Sequence, residues 1–227
     1  MTAQMFSADQ LRACKDLISP HIHQTPVLRS RLMDQRSGAS LFFKCENFQK
    51  GGSYKIRGAT HALLRLLEQG QVPAVVTHSS GNFAQALSLA AHNLGIPAYI
   101  VMPRTAPAVK KDAVRTYKGT IRECEPTLTA REETARSLRE KTGAVFIHPS
   151  DDPMVMLGQG TAAMELMEEV SGLDTIVAPV GGGGLLSGTA LAVHFFGEAC
   201  EAMGAEPFSV DDAYRSLKSG KIERNET

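Results

Sequence analysis

Tryptophan is absent from the 227 residues, aromatics make up only 6 %, and neither sign of charge is in excess, with 24 Lys and Arg against 24 Asp and Glu. A chain without a basic surplus lacks the electrostatic footprint of a nucleic-acid binder, and nothing steers it onto an anionic membrane. No apolar run approaches the ~18 residues that suggest a membrane span. The opening residues, MTAQMFSADQ, carry neither the basic nor the apolar segment of a secretory leader. Cys14, Cys45, Cys124 and Cys200 are scattered and form no CxxC pair. That spacing excludes a zinc knuckle and a redox dithiol and predicts reduced thiols. Together these absences predict a soluble, cytoplasmic protein.

What is plentiful is aliphatic: Ala, Leu, Val and 20 Gly, the usual packing material of α/β enzymes. Ser7 and Gln10 have capping-box spacing ahead of Leu11, Cys14, Leu17 and Ile18, which predicts a helix stopping near Pro20. LFFK (41–44) reads as a strand, and Ser53 as the cap of a helix that ends at Gly70. The alternation then becomes regular. AVVTH (74–78), AYIVM (98–102), TIREC (120–124), AVFIH (144–148) and TIVAPV (175–180) read as strands. Helices are expected over 84–94, 106–117, 127–142, 159–170 and 185–196. Strands alternating with helices imply parallel βαβ units, with the working loops at the carboxyl ends of the strands. The fold class is α/β, and residues 74–148 form a self-contained run of such units.

Three loops carry chemistry. In SYKIRG (53–58), Lys55 lies in the opening turn of a helix, where the dipole disfavours a cation and so lowers the amine pKa. A partly neutral amine is what Schiff-base chemistry requires. SSGNFAQA (79–86) follows a strand, and its backbone N–H groups with the Ser and Asn side chains suit a carboxylate. GGGG (181–184) lies between an apolar strand and a helix, where glycine lets several N–H groups approach a phosphate. It is neither a Walker loop nor a GxGxxG site. An imine-forming lysine, a phosphate cup and a carboxylate cradle together suggest pyridoxal phosphate and an amino-acid substrate.

The same residues resemble the fold-type II pyridoxal-phosphate enzymes, in the branch of the serine racemases and threonine dehydratases. KCENFQKGGSYKIRGA (44–59) is similar to that branch's lysine segment, HSSGNFAQAL (78–87) to its substrate loop, and PVGGGGLLSG (179–188) to its phosphate loop. Arg57 and Gly58 favour this branch over the cysteine synthases, which usually carry an acid two places after the lysine. The resemblance implies two parallel-sheet open-sandwich domains. The large one is formed by 1–73 and 149–227, and the small one by 74–148. It implies Lys55 as the Schiff-base lysine, Tyr54 near the cofactor ring, Asn82 on its phenolic oxygen, and Gly181, Gly182, Gly183 and Gly184 around its phosphate. Ser79, Ser80, Asn82 and Arg131 would receive the substrate carboxylate, and Ser80 stands where racemases place a second acid/base. Glu206, Asp212 and the carbonyl of Val210 match a site for a divalent cation, Mg²⁺ or Mn²⁺.

The implied activity is that of a serine/threonine dehydratase, an ammonia-lyase that releases a 2-oxo acid and ammonia. The alternatives are a serine or aspartate racemase, which would reprotonate from the Ser80 side, and an inactive cofactor-binding fragment. A small hydroxy amino acid is the expected substrate, and a homodimer the expected assembly. Two departures from the family pattern stand out. Phe83 replaces the histidine of the usual GNH, so an apolar ring stands where an imidazole helps hold the carboxylate. The chain stops at Thr227 within SGKIERNET, which resembles the middle of the family's large domain. About a hundred further residues would complete such a domain. An incomplete large domain with exposed sheet edge and apolar helix surface is therefore expected. Segment 195–203 fits poorly as the strand expected before GAEP.

Overall fold

The computed structural model describes residues 6–225, so part of the opening stretch read for a leader, residues 1–5, lies outside the described residues. Helix α1 (Ala8–Ile18) starts on the capping box, with Gln10 N donating to Ser7 Oγ and Ser7 N to Gln10 Oε1. It buries Leu11, Cys14 and Ile18, and Pro20 turns the chain in a short 3-10 segment. Two strands, β1 (Val27–Arg29) and β2 (Phe42–Lys44), pair antiparallel with Leu28 opposite Phe43. Between them lies α2 (Arg31–Ser37), closed by Gly38 at φ 70. Neither β1 nor α2 buries a side chain, so neither leaves an apolar period in the sequence.

Helix α3 (Lys55–Glu68) corrects the capping expectation. Tyr54 is its N-cap and offers no side-chain hydrogen bond, while the Ser53 hydroxyl is buried without a partner. A tight turn over Lys50–Gly52, with Gly51 at φ 71, delivers Ser53 in an extended conformation. Tyr54 is already helical, so Ser53 stands one place too early to reach the orphan N–H groups.

The next strands follow the alternation closely: β3 (Val75–His78), β4 (Ala98–Pro103), β5 (Thr120–Cys124) and β6 (Val145–Phe146). They form one parallel sheet in the order β5-β4-β3-β6. Helices α4 (Asn82–Asn93), α5 (Ala108–Thr116) and α6 (Leu128–Thr142) connect them. The order turns back between β3 and β6, which makes the carboxyl ends of those two strands a topological switch point, where open α/β sheets bind ligands.

Helix α7 (Pro153–Glu169) begins well before the expected Gln159, with Asp152 capping Met154 N and Val155 N at 2.9 and 3.1 Å. Residues Val155 to Leu166 are all buried, so the helix has no polar face to mark its period. Strands β7 (Thr175–Pro179) and β8 (Glu201–Ala205) pair in parallel around α8 (Gly184–Phe196). The poor strand pattern of 195–203 has a plain cause. Its first residues end α8 and Gly197 caps it, so the strand starts only at Glu201. A final helix, α9 (Asp212–Ser219), is not among those expected from the sequence.

The fold is thus α/β with parallel sheets. One core joins α3 to the four-stranded sheet through Ile56, Leu63, Phe83, Leu87 and Ile100, and a second gathers α1, α7 and α8 around Leu11, Leu157 and Val193. Among the described residues no helix is long and apolar enough to cross a membrane.

Candidate active site

Lys55 is the first residue of α3, and its Nζ donates to the carbonyl of Pro149 at 2.8 Å. The rings of Tyr54 and Phe83 stand 5.2 and 5.7 Å from the same nitrogen. Burial pushes the amine down to about 8, in the direction expected from sequence. About a tenth of it is therefore neutral at neutral pH, against well under a thousandth of an ordinary lysine. Phe83 is itself almost fully buried, so the residue that breaks the family's GNH pattern forms one wall of the lysine's dry environment.

The partner of Lys55 comes from the loop after β6, to which the sequence reading assigned no role at the site. After β6, His148 Nδ1 accepts from Ser150 N at 3.2 Å and Asp151 N at 2.7 Å, which folds the loop back on itself. Those two donors leave the ring proton of neutral His148 on Nε2. Burial lowers the pKa of His148, and the nearby charge of Lys55 adds to the effect. The His148 ring meets His78, at the end of β3, edge-on with centroids 5.6 Å apart.

The same loop reaches the glycine run. A Cβ on Gly182 would lie 2.8 Å from Ser150 Cβ, and one on Gly184 would lie 2.9 Å from the Ser150 carbonyl oxygen. Glycine is therefore required there by close approach, and Pro149–Ser150 bridges Lys55 to the glycine loop. The one sequence signal for this bridge was HPSDDP between a strand and a proline-led helix.

Gly183 adopts φ 82 and serves as N-cap of α8, with no side chain taking the first N–H groups of the helix. A Cβ on Gly181 or Gly183 would meet nothing within 4 Å, so open space faces the loop. Uncapped N–H groups at a helix N-terminus are suited to phosphate. In the turn after β3, Ser79 Oγ accepts from Gly81 N at 3.3 Å, and Asn82 opens α4 beside Phe83. Arg131, in the first turn of α6, has a buried Nε without a hydrogen-bond partner and is close enough to His78 to contribute to its lowered pKa, which burial dominates. An unsatisfied guanidinium nitrogen near a strand end suits an anionic ligand. A lysine with a depressed pKa, a bare helix N-terminus and an orphaned arginine nitrogen fit a phosphorylated aldehyde together with an amino acid.

The cation candidates are arranged differently. Glu206 accepts from Ala213 N at 3.3 Å and Tyr214 N at 2.9 Å, and so caps α9, while Asp212 Oδ1 accepts from Asn225 at 2.6 Å. Val210 N donates to Pro207 O at 3.0 Å, and no group of three or more His, Cys, Asp or Glu suited to a metal occurs among the described residues.

Residues 18–227 match the family model described as "Pyridoxal-phosphate dependent enzyme". The chain belongs to this family. Among the family's members, β-hydroxyaspartate dehydratase of Paracoccus denitrificans is 50 % identical over 214 residues, which is 94 % of this chain and 68 % of that protein. The crystal structure of serine racemase from Dictyostelium discoideum superposes with a TM-score of 0.91 at 45 % identity, covering 95 % of this chain and 70 % of that one. A threonine deaminase from the organism abbreviated T.th. superposes with a TM-score of 0.91 at 42 % identity, covering 98 % and 72 %. These similarities place the chain in the serine racemase and threonine dehydratase branch of the pyridoxal-phosphate enzymes. The chain spans about two thirds of the length of the curated relatives it matches.

Proposed function

We propose that the protein is an ammonia-lyase that removes water from L-serine or L-threonine to give a 2-oxo acid and ammonia. The carrying observation is Lys55, held at 2.8 Å from the Pro149 carbonyl with its pKa pushed down to about 8, next to an uncapped glycine-rich helix start. Bound pyridoxal phosphate supplies the electron sink that makes the substrate α-proton acidic. Lys55 would be its covalent anchor and, as a free amine, the base that would take that proton. Gly181 to Gly184 would hold its phosphate through backbone N–H groups and Asn82 would bond its phenolic oxygen, while the rings of Tyr54 and Phe83 flank the amine. Ser79, Ser80, Asn82 and Arg131 hold the substrate carboxylate.

Residues 74–148 act as the small domain, and 1–73 with 149–227 as the large one. A homodimer and a cytoplasmic location belong to the same proposal. So does a divalent cation, Mg²⁺ or Mn²⁺, at Glu206, Val210 and Asp212, in a supporting role away from the chemistry, where Glu206 already caps α9.

Two further readings have specific support. Ser80, in the turn after β3, stands by resemblance where racemases place a second acid/base. The half-identical relative acts, by its name, on β-hydroxyaspartate, and Arg131 with its free Nε could receive a second carboxylate.

The test is a pair of measurements on the chain with pyridoxal phosphate. Borohydride should trap the cofactor on the peptide carrying Lys55, and L-serine should then yield pyruvate, with Lys55→Ala abolishing both. Trapping without pyruvate, but with inverted serine, selects the racemase. A product from β-hydroxyaspartate alone selects the third reading. A label on any other lysine sinks the site.

A further inference from the structure

Helix α3 carries Lys55 in an awkward place. Its N-cap has no side-chain hydrogen bond, the Ser53 hydroxyl is unpartnered, and a cation in the first turn opposes the dipole. Such a turn should fray, yet Lys55 is half-buried with its amine on the Pro149 carbonyl. The restraint lies two residues on. Arg57 is fully buried, and each of its guanidinium nitrogens is engaged. Nε and Nη2 donate to the two Glu46 oxygens at 2.8 and 2.8 Å, and Nη1 and Nη2 donate to the two Glu165 oxygens at 2.7 and 2.8 Å. Nη1 also reaches Thr161 Oγ1 at 3.2 Å, so all five donors are used.

The carboxylates are anchored in turn. Thr25 Oγ1 donates to Glu46 at 2.6 Å, and Lys44 Nζ bonds Glu165 at 2.9 Å and Glu169 at 2.7 Å. The cluster thus joins the first turn of α3 to the 44–46 segment and to α7, the helix that follows the Pro149 loop.

We propose that Arg57 is a positioning residue that clamps the uncapped first turn of α3 between Glu46 and Glu165 and thereby sets Lys55 against the Pro149 carbonyl. This rests on the reading of Lys55 as the cofactor lysine. Apart from the Pro149 carbonyl, Lys55 meets Tyr54 of its own turn and Phe83 of α4, and its charge acts on His148, on which Asp151 and Asp152 also act. Among the described residues no carboxylate is bonded to its Nζ, so its low pKa depends on its burial, and that burial depends on the turn staying put.

The test needs no cofactor. In the cofactor-free chain, the rate of Lys55 acylation by a small anhydride is followed against pH, peptide by peptide, in wild type, Arg57→Lys and Glu46→Gln. Wild type should show a midpoint of about 8. Arg57→Lys keeps the charge but loses the two-sided fork, and its midpoint should rise by about one pH unit toward ordinary lysine. Glu46→Gln separates clamp from charge. Removing a negative charge alone would lower the Lys55 midpoint, whereas loosening the turn raises it.

An upward shift in Glu46→Gln supports the clamp, including where Arg57→Lys fails to fold. A midpoint that stays or falls in folded Glu46→Gln, with only the melting temperature reduced, overturns it and leaves the cluster purely structural. Borohydride trapping in wild type judges the cofactor reading separately: if the label misses Lys55, that reading fails, while the acylation profiles still decide the clamp.

Discussion

Lys55 is the residue whose environment makes the most quantitative demand. Its pKa is pushed down to about 8 in the folded chain by burial, and is roughly 10.4 when unfolded. Between those values the unfolded state binds more protons, so stability rises with pH through the window. Below about 8 the full cost of the buried charge is present in the fold. The difference in unfolding free energy between wild type and Lys55→Met should therefore shift in favour of wild type by about 2 to 3 kcal/mol on going from neutral to strongly alkaline pH. Urea unfolding of both proteins at the two pH values measures it, and a flat difference would mean that water reaches the amine. Phe83 belongs to the same account. Its ring 5.7 Å from Nζ gives up the carboxylate-binding ability of an imidazole and contributes to drying the lysine.

At the scale of elements, the site depends on helices that touch backbone to backbone. A Cβ on Gly158 of α7 would lie 2.6 Å from Gly58 Cα of α3, and one on Gly160 would lie 2.6 Å from the Gly188 carbonyl of α8. These glycines are not turn formers, because none of them has a positive φ. They are contact points that let three helices meet. Gly158→Ala should push α7 off α3 and destabilise the fold by about 2 to 3 kcal/mol, read from thermal or denaturant unfolding. It should also loosen the loop that brings Pro149 to Lys55, so the acylation midpoint of Lys55 should rise in the same variant. Asp152, which caps α7 at its Met154 and Val155 N–H groups, holds the other end of that loop.

For the whole molecule, the notable feature is an uncovered sheet face. Parallel strands are normally buried on both sides. In the β7–β8 pair, Ile176 and Ala178 face the core, but the paired Val177 and Met203 are 59 % and 52 % exposed. A cleft of about 610 Å³ lined by Phe42, Phe43, Leu166, Val177 and Leu185 opens nearby. On α9, Tyr214 and Leu217 are exposed as well. Apolar surface of this kind on a two-stranded sheet predicts self-association. Light scattering should show it growing with concentration, and Val177→Lys should reduce both the scattering and the binding of a hydrophobic dye without altering far-UV circular dichroism. Unchanged association would place the sticky surface elsewhere.

The alternation of strands and helices over 74–148 was legible because most of its strands are short apolar runs, with TIREC the exception, and each helix ends on a glycine or a polar break. The three working loops were legible because lysine, serine–asparagine and polyglycine are recognisable as chemistry wherever they follow such elements. The start of α7, the pair β1 and α2, and the cap of α3 were not legible. A helix buried all round has no period, elements with no buried face leave no pattern, and Ser53 fits a capping pattern that the preceding tight turn makes geometrically impossible. The sequence by itself determined which groups could do the chemistry. Only the tertiary structure decided that the Lys55 amine is dried by Phe83, bonded to Pro149 and held by a guanidinium shared between Glu46 and Glu165. The Pro149 and Glu165 contacts join residues about a hundred positions apart and depend on where separate elements meet, which no local propensity encodes.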